Sequence, residues 1–158
     1  MKHIHVLVAC IAALLLMASC QTKQTDYLSY TTRLADSQIA HDPELWMADG
    51  LTKPKWDYTQ GLIAKAMLEA YKATGKEEYV AYVQPFADYF IEPDGNIKTF
   101  KKSDYNIDRV NGGTFLLVMN ELFPEARYEA AMDTLYSQLL SHPRTSEGGF
   151  WHKKRYPW

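Results

Sequence analysis

The side chains best suited to chemistry gather in the last stretch, Arg144-Thr145-Ser146-Glu147-Gly148-Gly149-Phe150-Trp151-His152-Lys153-Lys154-Arg155-Tyr156-Pro157-Trp158. Phe150, Trp151, Tyr156 and Trp158 offer flat faces, and Arg144, His152 and Lys153 set charge beside them. Flat faces with adjacent cations suit a ring-shaped anion such as an acidic sugar. Gly148-Gly149 permits backbone angles or close approaches that a Cβ forbids. The other reading of the same residues is an aromatic loop plugging the end of a helical bundle.

Among the carboxylates, Asp108 stands out, in Tyr105-Asn106-Ile107-Asp108 just before a glycine-bearing helix. Asp there is either a cap, accepting backbone N–H bonds at the positive end of the helix dipole, or a site residue. Other chemistries find no support. The histidines are scattered, there is no local metal motif, and neither a Gly-rich phosphate loop nor Gly-x-Ser-x-Gly occurs. No cofactor and no metal are expected. A net charge of −2 leaves no basic excess to attract nucleic acid.

The elements that must position these residues read as helices. Met1 to Ser19 carries a weakly cationic start, an apolar run and Met17-Ala18-Ser19-Cys20, the pattern of a lipoprotein signal cleaved before Cys20. The apolar run is short for a span of about 20 residues. Cys20 is then the lipidation site, so the protein is expected to be exported and held at the membrane only through its lipid. With Cys10 removed and Cys20 lipidated, no disulfide remains to the mature chain. Residues 20–26 read as a tether. The expected helices run Tyr27 to Ala40, Trp56–Gly61 to Ala73, Glu77 to Ile91, Asn111 to Leu122 and Arg127 to Leu140, each with apolar residues at helical spacing. Asp42-Pro43, Thr74-Gly75, Pro93-Asp94-Gly95-Asn96 and His142-Pro143 separate them. Ile97 to Phe100 reads as a short extended piece. Tyr79 and Tyr128 lie 49 residues apart. Each opens an amphipathic helix that follows a broadly apolar one across a tight turn. Successive hairpins of this size argue an all-α toroid or solenoid.

Arg144 to Lys153, followed by Tyr156-Pro157, resembles the signature loop of the unsaturated glucuronyl and rhamnogalacturonyl hydrolases, glycoside hydrolase families 88 and 105. It is closer to the second. Lys53-Pro54-Lys55-Trp56-Asp57-Tyr58-Thr59-Gln60-Gly61 resembles another motif of that family, whose tryptophan faces the sugar cleft. The resemblance implies an (α/α)6 barrel of six hairpins, with residues 27–158 supplying about two and the start of a third. It implies Trp56, Tyr58, Arg144, Trp151 and His152 as substrate-binding residues and Asp108 as one of two active-site aspartates. Lys153 is a further candidate for the substrate carboxylate.

The reaction so implied begins with a terminal uronic acid bearing a C4=C5 double bond. Protonation at C4, water addition at C5 and opening of the hemiketal release the glycosidic link, unlike the usual paired-carboxylate scheme. In the family the acid lies in a following Gln-Met-Trp-x-Asp-Gly segment, and this sequence stops at Trp158. The expectation is therefore an amino-terminal fragment, inactive alone, with Asp108 tuning that acid or binding the ring. In such a fragment the inner rows, including Leu62, Ala66 and Leu116, would lie bare. Two alternatives use the same residues: a non-catalytic helical glycan-binding lipoprotein, and the truncated product of a broken frame.

Overall fold

The computed structural model describes residues 26–156. The expected signal 1–19, Cys20 and the tether as far as residue 25 lie outside the described residues. The chain divides into a unit Met1–Tyr30 and a larger unit Thr31–Trp158. In the first, Asp26 caps the opening helix: its Oδ1 accepts from Ser29 N at 3.1 Å, and Ser29 Oγ donates back to Asp26 O at 2.9 Å.

The described residues form six α-helices: α1 Tyr27–His41, α2 Tyr58–Thr74, α3 Glu77–Phe90, α4 Ile107–Asn111, α5 Phe115–Leu122 and α6 Ala126–Ser141. Short 3-10 segments occupy Leu45–Gly50 and Lys102–Asp104. Among the described residues only isolated bridges of β type occur, one of them Ile91 to Ile97, where an extended piece was expected. No helix among them is long and apolar enough to cross a membrane. The all-α hairpin architecture expected from the sequence is the one found.

Local chemistry sets the hairpins. Asp57 caps α2 through its carboxylate, and Gly75 ends it at φ 71°, donating to Tyr71 O at 2.7 Å. The turn at Pro93–Asn96 closes with Glu92 N donating to Asn96 O at 2.9 Å. The fourth expected helix, Asn111 to Leu122, needs correction. It starts earlier, at Ile107, and breaks at Gly112–Thr114. The break lies where the chain packs tightly against its neighbours. A Cβ on Gly61 would sit 2.1 Å from Gly112 O, and one on Gly113 would sit 2.0 Å from Leu135 Cδ1.

Tyr79 and Tyr128 show why the 49-residue repeat exists. Both are fully buried, and each hydroxyl reaches back to the preceding amphipathic helix. Tyr79 Oη donates to Asp36 Oδ1 at 2.8 Å, while Tyr128 Oη accepts from Gln84 Nε2 at 3.1 Å. A cation beside each tyrosine pairs with a carboxylate on that same helix, Lys76 with Asp36 and Arg127 with Asp88. The repeated unit is thus a tyrosine latch with an ion pair alongside, joining α1 to α3 and α3 to α6.

The core centres on Trp56. Its ring stacks on Phe86 with centroids 5.9 Å apart and meets Phe90 and Phe115 at 5.8 and 5.9 Å. Each such aromatic contributes roughly 1.5–3 kcal/mol by burial. Of the inner-row residues expected to be bare, Leu62 and Ala66 are exposed. Leu116 is not: it is fully buried, and Leu117 takes the outward position.

Candidate active site

The candidate site forms where the segment after α6 folds back over the start of α4. Residues 144–156 make two tight bends, with bridges Arg144 to Phe150 and Lys153 to Tyr156. Gly148, at φ 84°, allows the first bend, which Thr145 N to Gly149 O closes at 2.8 Å. Ile107 N then donates to His152 O at 3.0 Å and Lys154 N to Asp104 O at 3.2 Å, pinning the loop along the segment leading into α4.

Asp108 sits in the first turn of α4, but it is not the cap. Asn106 fills that place, its Oδ1 accepting from Asp108 N at 3.1 Å, which leaves the Asp108 carboxylate free to face the loop. There it meets His152 Nε2 at 3.0 Å and Lys153 Nζ at 2.9 Å. Partial burial pushes this carboxyl up. Hydrogen bonds from Lys153 and His152, and their charges, outweigh burial and hold it below the ordinary carboxylate value. An ionised carboxylate only accepts, so His152 Nε2 carries the proton between them.

A buried histidine holds the arrangement. His142, at the end of α6, donates from Nε2 to Trp151 O at 2.7 Å, because a carbonyl can only accept. Its Nδ1 accepts from Gln138 Nε2 at 3.2 Å, and Gln138 also donates to Asn106 O at 3.2 Å. Tyr105 and Phe150 close on the imidazole edge-on, with centroids at 5.6 and 5.3 Å. One polar pair therefore ties the loop before His152 to the segment before Asp108. The sequence reading missed both members, taking His142-Pro143 only as a helix stop. Their signal was present: Leu135, Gln138 and His142 recur at helical spacing, which sets two polar residues on a core face.

The other expected site residues separate into distinct roles. Trp56, expected at the sugar, is fully buried. Its Nε1 donates to Arg109 O at 2.8 Å and its N to Thr99 Oγ1 at 2.9 Å, so it supports α4 from beneath. Tyr58 is exposed at the first position of α2, with its N–H bonded to the Asp57 carboxylate and no hydrogen bond to the Asp108 cluster. Arg144 is spent on its own loop. Its Cζ lies 3.3 Å from the Phe150 ring centroid and Nη1 donates to Gly148 O at 3.0 Å. Trp151 is half-buried, and its backbone is engaged on both sides, N to Pro143 O and O to His142. The structure thus brings Asp108, His152 and Lys153 together and leaves Tyr58 and Arg144 outside their contacts.

Backbone strain borders the same place. Thr99 at φ 64° and Tyr105 at φ 44° adopt left-handed angles, a conformation costing about 1–3 kcal/mol that collects at functional sites. Trp56 and Arg109 hold Thr99 there, through its hydroxyl and its carbonyl.

The described residues thus form helical hairpins with a carboxylate, an imidazole and an ammonium gathered beside a helix start. The chain belongs to Glycosyl Hydrolase Family 88, whose sequence pattern matches residues 20–158. A solved structure of a C. acetobutylicum ATCC 824 glycoside hydrolase from family 105 is similar at 34% identity with a TM-score of 0.72. The match covers 81% of this chain and 34% of the other, so the chain spans a minor part of that protein's length.

Proposed function

We propose that the Asp108–His152–Lys153 cluster binds the carboxylate end of a terminal unsaturated uronic acid, in a glycosidase of the unsaturated rhamnogalacturonyl hydrolase type. The observation that carries the reading is Asp108 held ionised between His152 at 3.0 Å and Lys153 at 2.9 Å. One carboxylate thus orients the Lys153 ammonium and the His152 Nε2–H donor side by side, a pair that suits an incoming uronate. Family membership and the signature loop support the substrate class. In the proposed reaction a proton adds to C4 of the C4=C5 bond, and the cation at C5 is shared with the ring oxygen. Water adds at C5 and loses a proton, the hemiketal opens, and the aglycone departs from C1.

Asp108 is not the proton donor in this scheme, because a general acid must keep its proton near neutral pH. Its role is to orient His152 and Lys153. In this proposal the cluster binds the sugar, and the proton for C4 comes from another group. We further propose that Cys20 is lipidated on an exported protein, which predicts loss of fatty-acid labelling in Cys20→Ser.

The test uses unsaturated galacturonyl-rhamnose. Calorimetry should show binding by the 158-residue chain, weakened about tenfold or more in Lys153→Met. The ultraviolet absorbance of the C4=C5 bond should persist. If that absorbance decays and Asp108→Asn stops the decay, Asp108 is itself the acid. Absence of binding refutes the reading of the cluster.

A further inference from the structure

The chain's net charge is −2, yet seven cations line two shallow hollows that share Asp104, one of them including Lys153 of the Asp108 cluster. One, of about 590 Å³, is lined by Ser103, Asp104, Asn106, Lys153, Lys154 and Arg155. The other, of about 510 Å³, has Lys53, Lys55, Lys101 and Arg109 among its walls, with Thr99 at its side. Asp104 lines both, so they share a wall. Seven cations and this single carboxylate line the pair of hollows, a two-part groove.

Several of these cations already have work. Lys55 pairs with Asp57, Lys153 with Asp108, Arg109 donates to Thr99 O, and Arg155 lies over Tyr156. Lys53, Lys101 and Lys154 are exposed and pair with no carboxylate among the described residues. A run of cations is ordinarily a solvated face, but here the backbone is bent to shape it. Thr99, in its left-handed conformation, is clamped by Trp56 N and by Arg109, which fixes the segment around Lys101 against the one carrying Lys53 and Lys55.

We propose that this groove binds a second anionic group, a carboxylate or a sulfate ester, on a sugar beyond the one held at Asp108. The proposal rests on the reading of the Asp108 cluster as a uronate site and extends it from a terminal sugar to an acidic chain. Lys53 and Lys101 are the discriminating contacts. The groove selects longer acidic oligosaccharides over disaccharides.

The experiment compares four probes by calorimetry: an unsaturated disaccharide with one carboxylate, a tetrasaccharide with two, the same tetrasaccharide with its second carboxyl reduced to the alcohol, and one carrying sulfate there instead. The unaltered chain should bind the two-carboxylate tetrasaccharide roughly five- to tenfold tighter than the reduced one, with the advantage fading in high salt. Lys53→Gln with Lys101→Gln should erase that advantage and leave disaccharide affinity within about twofold. Both side chains are exposed, so the double variant should keep the helical circular dichroism of the parent. Tighter binding of the sulfated probe assigns the groove to sulfated chains, and of the carboxylated probe to polyuronates. Equal binding of reduced and unreduced probes overturns the proposal. So does equal loss of disaccharide and tetrasaccharide affinity in the double variant. Tetrasaccharide binding without disaccharide binding refutes the Asp108 reading and leaves the groove standing, whereas failure of both sugars to bind refutes both.

Discussion

Asp108 and His152, 44 residues apart in the chain, meet with 3.0 Å between Oδ2 and Nε2. Neither residue arranges the other alone. Asn106 caps α4 and turns the Asp108 carboxylate outward, while His142 holds the carbonyl just before His152. The site is a meeting of two supported backbones rather than a pair of side chains.

Its charge state has a pH signature. The Asp108 carboxyl should titrate below its ordinary 3.8, since Lys153 and His152 outweigh the effect of burial. Because the folded value is lowered, the stabilisation is present above the unfolded value and is lost as pH falls through the folded one. Carbon-detected NMR of the carboxyl should place the midpoint under 3.8 and move it upward in Lys153→Met. An unmoved midpoint in the variant would show that the ammonium does not govern Asp108.

His142→Ala removes the donor to Trp151 O and leaves Gln138 facing a hole. Loss of two hydrogen bonds and of packing between Tyr105 and Phe150 should cost about 2–4 kcal/mol in urea denaturation. The local readout is more telling. The Ile107 amide, which donates to His152 O, should exchange with solvent at least roughly tenfold faster, ahead of the α3 core amides. Uniform acceleration across the helices would mean a merely global destabilisation.

Trp56→Phe tests the buried role of that residue. It loses the hydrogen bond to Arg109 O and part of the stack on Phe86, for an expected cost of about 1–3 kcal/mol. Sugar affinity, measured where the variant is still folded, should change by less than about twofold, below 0.5 kcal/mol. A large affinity loss with unchanged stability would return Trp56 to the sugar.

Gly61→Ala should be worse than Gly75→Ala. The first places a Cβ 2.1 Å from Gly112 O, a backbone atom that cannot swing away, so α2 must shift from its neighbour. We expect a loss of about 3 kcal/mol or more for Gly61→Ala. Gly75 stands in open space and suffers only its positive φ of 71°, a cost of about 1–2 kcal/mol. Chemical denaturation midpoints of the two variants should fall in that order.

The sequence by itself determined most of the helices, though not the start at Ile107 or the break before Phe115, because apolar spacing, a capping Asp57 and a terminating Gly75 are local facts. The tyrosine repeat was also legible, since each copy occupies the same place in its own hairpin. Asp108 and the loop from Arg144 could be named as candidates from residue type and resemblance to a family motif. Only the tertiary structure decided which of them meet. Trp56 and Trp151 were alike expected at the substrate by resemblance, yet one is sealed among Phe86, Phe90 and Phe115 and the other stays half-buried. Asp108 read as a cap or a site residue, and the backbone at the α4 start gave the cap to Asn106. Gln138 and His142 carried no chemical motif, because their function is to join two loops, and which loops lie side by side is a property of packing, not of local sequence.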